Sequence, residues 1–482
     1  MYLRSKKAIE IGLLIFIVVW AYSLLIIAAW HSYPNPEDYE VSCVSRDIGI
    51  LQSVKATMVG YDGRYTTNLF HAINPLAFNY IKGYSVMNIL GVVLANLSIF
   101  CFMSQILVVT SRFFLFLYSA LITVVFMGCI LSYATFFMMT GNFVYLYCNS
   151  FALFFITFFI KYLRANRLVY DKIYFVTTST TLVLAIGFTE LYLPFYFLLL
   201  FSLLFYYIYM DRQFLSKYIP LFIIGIFLLL FFITTPGVTE RISGNNCSVS
   251  KASLTEVLTH GLYNYITFLV TTILKPICFA SILYGVIMFQ ENTFILNIKF
   301  SRKLTITLFT ITVISSMLMT FAYYLPTMDA VTYPQKIYTP ILFVLLILAF
   351  GFLCSYLKLT VITNFMGVAT VKIILLIIIL ADFVNGDNYI ARIQEDYHSG
   401  KLTAFKYFMD NRISLLRDAA KSEKKYKTAI VPRLERYPIT VYDLVDIETD
   451  RVNSKWNKCY EEYFQLDEVV VQGDTNRKFR SK

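Results

Sequence analysis

The sequence predicts an all-α polytopic membrane protein of about eleven transmembrane helices with a small C-terminal α+β extramembrane domain. Three observations carry this. Of 482 residues, 58% are hydrophobic and 15% charged, against roughly 45–50% and 25% in soluble domains. The runs Ile11 to Trp30, Phe113 to Phe137, Tyr218 to Thr234 and Ile341 to Leu357 are almost free of charge, each near the roughly 20 residues that cross a hydrocarbon layer. Basic clusters also recur on every second loop: Arg4/Lys6/Lys7, Arg112, Lys161/Arg164/Arg167/Lys172, Arg212/Lys217, Lys299/Arg302/Lys303 and Lys358. That alternation is the positive-inside signature.

Spans are expected to begin near residues 8, 84, 113, 143, 173, 191, 218, 262, 304, 338 and 364. The first is read as a retained anchor, because it is long and lacks a small-x-small cleavage site. The basic clusters place the N-terminus in the cytoplasm, and an odd count then puts the C-terminus outside. The chain then divides into a transmembrane domain over 1–385, with a large first outer loop over 31–82, and a periplasmic C-terminal domain over 386–482. Other outer segments run from Pro236 to about His260 and from Pro326 to Lys336. Glu190 divides two apolar runs, while Lys275-Pro276 and Lys372 fall inside proposed spans and read as snorkelling or paired charges.

In the tail, Ile393, Leu402, Phe405, Phe408, Ile413 and Leu416 have helical spacing between Ala391 and Lys421. Thr428 to Pro432 and Ile439 to Tyr442 read as short strands.

The net charge of +11 lies in short inter-span loops, and no nucleic-acid-binding motif accompanies it. Nucleic acid is therefore not an expected partner. The four histidines His31, His71, His260 and His398 show no metal-ligand spacing, and no phosphate-binding glycine loop is present. Cys101, Cys129, Cys148, Cys278 and Cys354 fall in apolar runs, whereas Cys43, Cys247 and Cys459 read as exposed, with their pairing open. Asn246-Cys247-Ser248 fits the glycosylation acceptor pattern weakly.

Chemistry is expected in the first outer loop, which carries Glu37-Asp38-Tyr39-Glu40, Arg46-Asp47 and Asp62-Gly63-Arg64-Tyr65. Adjacent carboxylates raise one another's pKa or share a cation, so Asp38, Glu37 and Asp62 are the catalytic candidates. Arg64 and Tyr65 are substrate-binding candidates, since an arginine fork suits a phosphate. Glu190, costly between apolar runs, and Lys336, placed to meet a lipid phosphate, join them. The bland readings are solvated loop acids, a turn at Asp62-Gly63 and a snorkelling lysine in an aromatic belt.

This layout of one span, a large acidic outer loop, further spans and an outer tail resembles GT-C type glycosyltransferases. More narrowly it is similar to bacterial serotype-converting O-antigen glucosyltransferases. There an Asp/Glu-Asp-Tyr and an Asn/Asp-Gly-Arg-Tyr sit in the first periplasmic loop, matched here by Glu37-Asp38-Tyr39 and Asp62-Gly63-Arg64-Tyr65. Asp443 to Asp446 followed by Ser454 to Tyr460 resembles the tryptophan-asparagine ending of those families; Lys336 stands where an arginine is expected.

The resemblance implies a hexosyltransferase of the bacterial inner membrane. It would move a sugar, glucose first among them, from a polyprenyl-phosphate donor to a lipid-linked glycan such as lipopolysaccharide O-antigen on the periplasmic face. Asp38 would be the base, and membrane lipids the surroundings. No cofactor is assigned, and a divalent cation is left open, with Asp38 and Glu190 as one candidate pair. The rival readings are a secondary transporter, which would place charges near the midplane and show repeats, and a non-catalytic polysaccharide-assembly or polymerase component.

Overall fold

The computed structural model describes residues 2–109, 111–130, 133–165, 167–209, 212–243, 253–290, 294–296, 310, 313–320, 367–434, 437–442 and 455–472. The chain is mostly helical. Among the described residues, seven helices are long and apolar enough to cross a membrane: Ser5–Trp30, Lys82–Ile106, Arg112–Cys129, Met139–Arg164, Glu190–Tyr209, Leu215–Ile233 and Val368–Asn385. An eighth is present if Leu258–Thr272 and Pro276–Met288, bent by 67°, form one span. The span expected near 338 lies outside the described residues, and of the one expected near 304 only 310 and 313–320, helical, are described. Lys336 and its loop, the Asn246-Cys247-Ser248 sequon, and Asp443 to Asp446 also lie outside the described residues.

The helices used below are α1 (Tyr2–Trp30), α2 (Pro36–Ile48), α3 (Ile50–Gly60), α4 (Tyr65–Ala72), α5 (Lys82–Ile106), α6 (Arg112–Cys129), α7 (Tyr133–Phe136), α8 (Met139–Asn142), α9 (Cys148–Arg164) and α10 (Leu168–Ile186). They continue with α11 (Leu193–Tyr209), α12 (Leu215–Ile233), α13 (Pro236–Ser243), α14 (Leu254–Ile273), α15 (Pro276–Gln290), α16 (Val368–Asn385), α17 (Tyr389–His398), α18 (Lys401–Ala420) and α19 (Lys455–Phe464). α10 matches the spans in length but carries Asp171, Lys172 and a Thr/Ser run from Thr177 to Thr181. Within the bundle α9 packs on α5 and α10, and α16 packs on α1 and α15.

Local chemistry sets the boundaries. Asn35 caps α2 through a reciprocal box with Asp38, and Pro36 occupies the first turn, where its missing N–H costs nothing. Gly49, at φ +85°, ends α2 and opens α3 in a backbone region that side chains disfavour. Pro276 separates α14 from α15, so the expected span over Lys275-Pro276 is broken. At that break the Lys275 ammonium donates to the carbonyls of Cys129 and Asp387, each 3.2 Å away. The Cys129 carbonyl ends α6, where a cation meets the negative pole of a helix, and Asp387 lies in the link between α16 and α17.

Lys372 does not snorkel. Its ammonium lies 2.9 Å from the Glu10 carboxylate, both residues are buried, and Tyr284 donates to the same carboxylate at 2.9 Å. Lys6 donates to Thr370 at 2.9 Å. Since Glu10 and Thr370 both lie near the N-terminal ends of their helices, α1 and α16 run side by side in the same direction. Both deliver their C-termini to the face that carries residues 31–81, called here the loop face.

The C-terminal segment lies on that face. The single helix expected over 391–421 is two, because the chain turns at Gly400, which adopts φ +74°. Strand β3 (Thr428–Val431) forms as expected and pairs in parallel with β4 (Glu468–Val471). Residues 439–442 form a turn rather than a strand, as Val441 and Tyr442 both bond back to the Pro438 carbonyl. Two three-residue strands, β1 (Leu107–Val109) and β2 (Phe294–Leu296), pair antiparallel elsewhere in the chain.

α19 packs on α2. Tyr39 lies against the rings of Tyr460, Tyr463 and Phe464 at centroid distances of 5.0, 4.6 and 5.7 Å. Arg46 donates to the Glu462 and Tyr463 carbonyls, and Lys455 pairs with Glu40 at 3.1 Å. Cys43 and Cys459 were expected to be exposed. Both are buried by this contact and free, and burial pushes their thiols up to about 11 and about 12.

Candidate functional site

Two polar cradles sit at the loop face. The first holds Asp38, which is fully buried. As the third residue of α2 its carboxylate accepts the Asn35 N–H at 3.2 Å. It also accepts the Tyr84 hydroxyl at 2.9 Å and the Thr140 N–H at 3.0 Å. Tyr84 lies in the first turn of α5, while Thr140 lies in α8. Before α8 the described backbone holds only the one-turn helix α7, and α8 then continues through a π-helical turn over Phe143–Tyr147 into α9. Non-helical backbone beside a bilayer survives only where protein covers it. Here Asn88 donates to the Phe137 carbonyl and Asn142 to that of Phe136.

Tyr84 has one hydroxyl hydrogen and two acceptors, the Asp38 carboxylate at 2.9 Å and the Phe137 carbonyl at 2.8 Å. With the hydrogen on Phe137, a protonated Asp38 can donate back to the Tyr84 oxygen, so the cradle admits both protonation states. Burial is the largest influence on Asp38 and raises its pKa; the N–H groups of Thr140 and Asn35 and the Tyr84 hydroxyl oppose it, and Glu37 adds to it. The outcome is a carboxyl held at about 6. Glu37 itself is half-buried one position earlier in the helix.

The second cradle joins residues 126 positions apart. Arg64 makes a two-pronged contact with Glu190, Nε to one carboxylate oxygen at 2.6 Å and a terminal nitrogen to the other at 2.5 Å. Asp62, buried, lies 3.6 Å from the same guanidinium and accepts the Arg64 N–H at 3.1 Å and the Asn68 amide at 3.0 Å. Burial alone would lower the Arg64 pKa, but the carboxylates of Glu190 and Asp62 outweigh it and hold the group well above its usual value. Tyr65 donates to the Val183 carbonyl at 2.6 Å, and Thr67 to that of Phe188 at 2.6 Å.

Asp62 to Thr67 thus docks as a unit onto the turn that opens with Gly187. That turn has no room for a side chain, since a Cβ on Gly187 would overlap the Tyr65 ring and the Thr66 hydroxyl. A Gly187→Ala chain is expected to lose about 1–3 kcal/mol from overpacking, read as a lower midpoint of thermal unfolding. An unchanged midpoint would show that the docking is loose.

His71 bridges the cradles. Burial, reinforced by nearby Arg64 and opposed by the Thr140 backbone, lowers its imidazole to about 4, so the ring is neutral at pH 7. His71 Nε2, Thr140 Oγ1 and Thr66 Oγ1 are buried without a protein hydrogen-bond partner among the described residues. They are acceptors and donors suited to a hydroxyl-rich ligand.

Of the residues singled out in the sequence, Asp62, Arg64, Tyr65 and Glu190 meet in one cradle, Asp38 occupies the adjoining one with Glu37 beside it, and Lys336 lies outside the described residues. Tyr84, Thr140 and His71 carried no motif; Asn35, three positions before Asp38, was readable as a helix cap. Among the described residues no three His, Cys, Asp or Glu side chains are placed to hold a metal ion. Comparisons with protein-family models, with curated proteins and with solved structures return no match.

Proposed function

We propose that this chain is a GT-C type glycosyltransferase of the bacterial inner membrane. It moves a hexose, glucose first, from a polyprenyl-phosphate donor to a lipid-linked glycan such as O-antigen on the periplasmic face. The loop face is then periplasmic, the N-terminus cytoplasmic, and the C-terminal segment an extramembrane domain closing over the site. The observation that supports this reading is the convergence of Asp62, Arg64 and Glu190 beside the buried Asp38, at one end of an apolar helix bundle.

In the proposed reaction the acceptor hydroxyl attacks the anomeric carbon. The new C–O bond forms as the bond to the donor phosphate breaks, polyprenyl phosphate leaves, and Asp38 takes the hydroxyl proton. Asp38 is fully buried and accepts the Thr140 N–H, so this cradle opens to admit the acceptor hydroxyl. Arg64, which carries the permanent charge of its cradle, steadies the departing phosphate by exchanging part of its contact with Glu190.

The secondary-transporter reading has one observation in its favour, the buried Glu10–Lys372 pair. Glu10 lies only five residues into the span Ser5–Trp30, about 8 Å from its end at 1.5 Å per residue, whereas transport sites sit near the midplane.

The test reconstitutes the full chain in vesicles with polyprenyl-phosphate glucose and a lipid-linked glycan, followed by mass spectrometry. Addition of one hexose is expected. Uptake of a solute with no change in glycan mass would favour transport, and neither outcome in the presence of both substrates would count against the enzyme.

A further inference from the structure

The α2–α3 elbow carries a largely apolar groove lined by Ile48, Leu51 and Phe78, with Ser45, Arg46 and Gln52 also in its wall. Its rim is unusually bare: Leu51 is 81% exposed, Phe78 63% and Ile48 43%, with Tyr80 at 57% close by in the chain. Soluble surfaces seldom gather such residues without a partner.

Depth identifies the partner. The turn Pro75–Phe78 is pressed against the first turn of α5, since a Cβ on Gly83 would fall 2.5 Å from Pro75 and 2.6 Å from Tyr80. Gly83 is the second residue of a helix apolar enough to cross a bilayer. The groove is therefore continuous with the belt of exposed apolar side chains on the spans, such as Val86, Leu90 and Val93 on α5. On α3 the exposed residues Leu51, Lys55 and Val59 follow at four-residue spacing, an apolar stripe with one lysine long enough to reach outward to headgroups.

We propose that this elbow is seated in the bilayer, with acyl chains of ordinary membrane lipid filling the groove between Ile48, Leu51 and Phe78. The first loop is then anchored at two depths, by its ends through α1 and α5 and by its middle through the elbow. This holds whether or not the chain is a glycosyltransferase.

The test uses the full chain purified and reconstituted in phosphatidylcholine vesicles. Leu51→Cys, Phe78→Cys and Asp47→Cys variants are treated with a charged, membrane-impermeant maleimide, and labelling of the parent's own cysteines is subtracted. A thiol in hydrocarbon is protonated and unreactive, so the Leu51→Cys and Phe78→Cys positions are expected to label at least about tenfold more slowly than Asp47→Cys. A nitroxide on the Leu51→Cys thiol should also collide with oxygen more than with a water-soluble nickel chelate. Labelling as fast as at Asp47→Cys, or protection seen in native membranes but lost in pure lipid, would overturn the proposal; the latter would identify a protein as the cover.

Discussion

Hexose transfer is expected to fall about 10²–10⁴-fold when Asp38 is replaced by asparagine, the range a general base contributes. In the parent, transfer should rise with pH and level off above about 6, where the Asp38 carboxyl is ionised. The same substitution carries a signature independent of activity. The folded-state pKa is raised from 3.8 to about 6, so between those values the folded chain binds more protons than the unfolded one. Stability must then fall as pH rises from about 4 to about 6 and stay at the lower level above it.

That fall amounts to about 3 kcal/mol for a shift of some two units. It should be missing from Asp38→Asn, whose amide does not titrate. Thermal unfolding of both proteins between pH 4 and pH 7 would show it as two curves that diverge. Parallel curves would mean that the carboxyl is not held as described, and full transfer by Asp38→Asn would remove it as the base.

The second large effect lies at the other end of the bundle. Substituting Lys372 with methionine leaves the Glu10 carboxylate, at 2% exposure, without its cation. Breaking a buried pair by removing one partner costs about 3–5 kcal/mol. The double variant Glu10→Gln/Lys372→Met should recover most of that loss, because no charge is left buried and Tyr284 can still bond to the amide. A cycle of the two single variants and the double, read by unfolding in detergent, yields the coupling directly. Additive losses would show that the two side chains do not act as a pair.

How far the sequence could be read depended on whether a property was local. Apolar length and charge alternation located α1, α5, α6, α12 and α16, because a bilayer tests each segment separately. Strand β3 was visible from its valine, isoleucine and flanking proline. β4 was not, because Glu468 to Val471 become a strand only when paired with it.

The Asp62 to Tyr65 cluster was legible as a charged turn, but its link to Glu190 runs across 126 residues and depends on how α10 and α11 pack. Glu10 was hidden within an apolar run and gains meaning only from Lys372. Cys43 and Cys459 read as exposed because their segments are polar; what buries them is a helix-to-helix contact that no local pattern records.

That contact also dictates an order of events in biogenesis. The Tyr39 ring is covered by Tyr460, Tyr463 and Phe464, so the segment that carries it waits for one made far later in the chain. Until residues 460–464 are made, the loop holding Asp38 has an uncovered aromatic face, a surface that chaperones and proteases recognise. A chain truncated before residue 455 would never close this face, so the contact reports that synthesis has passed that point.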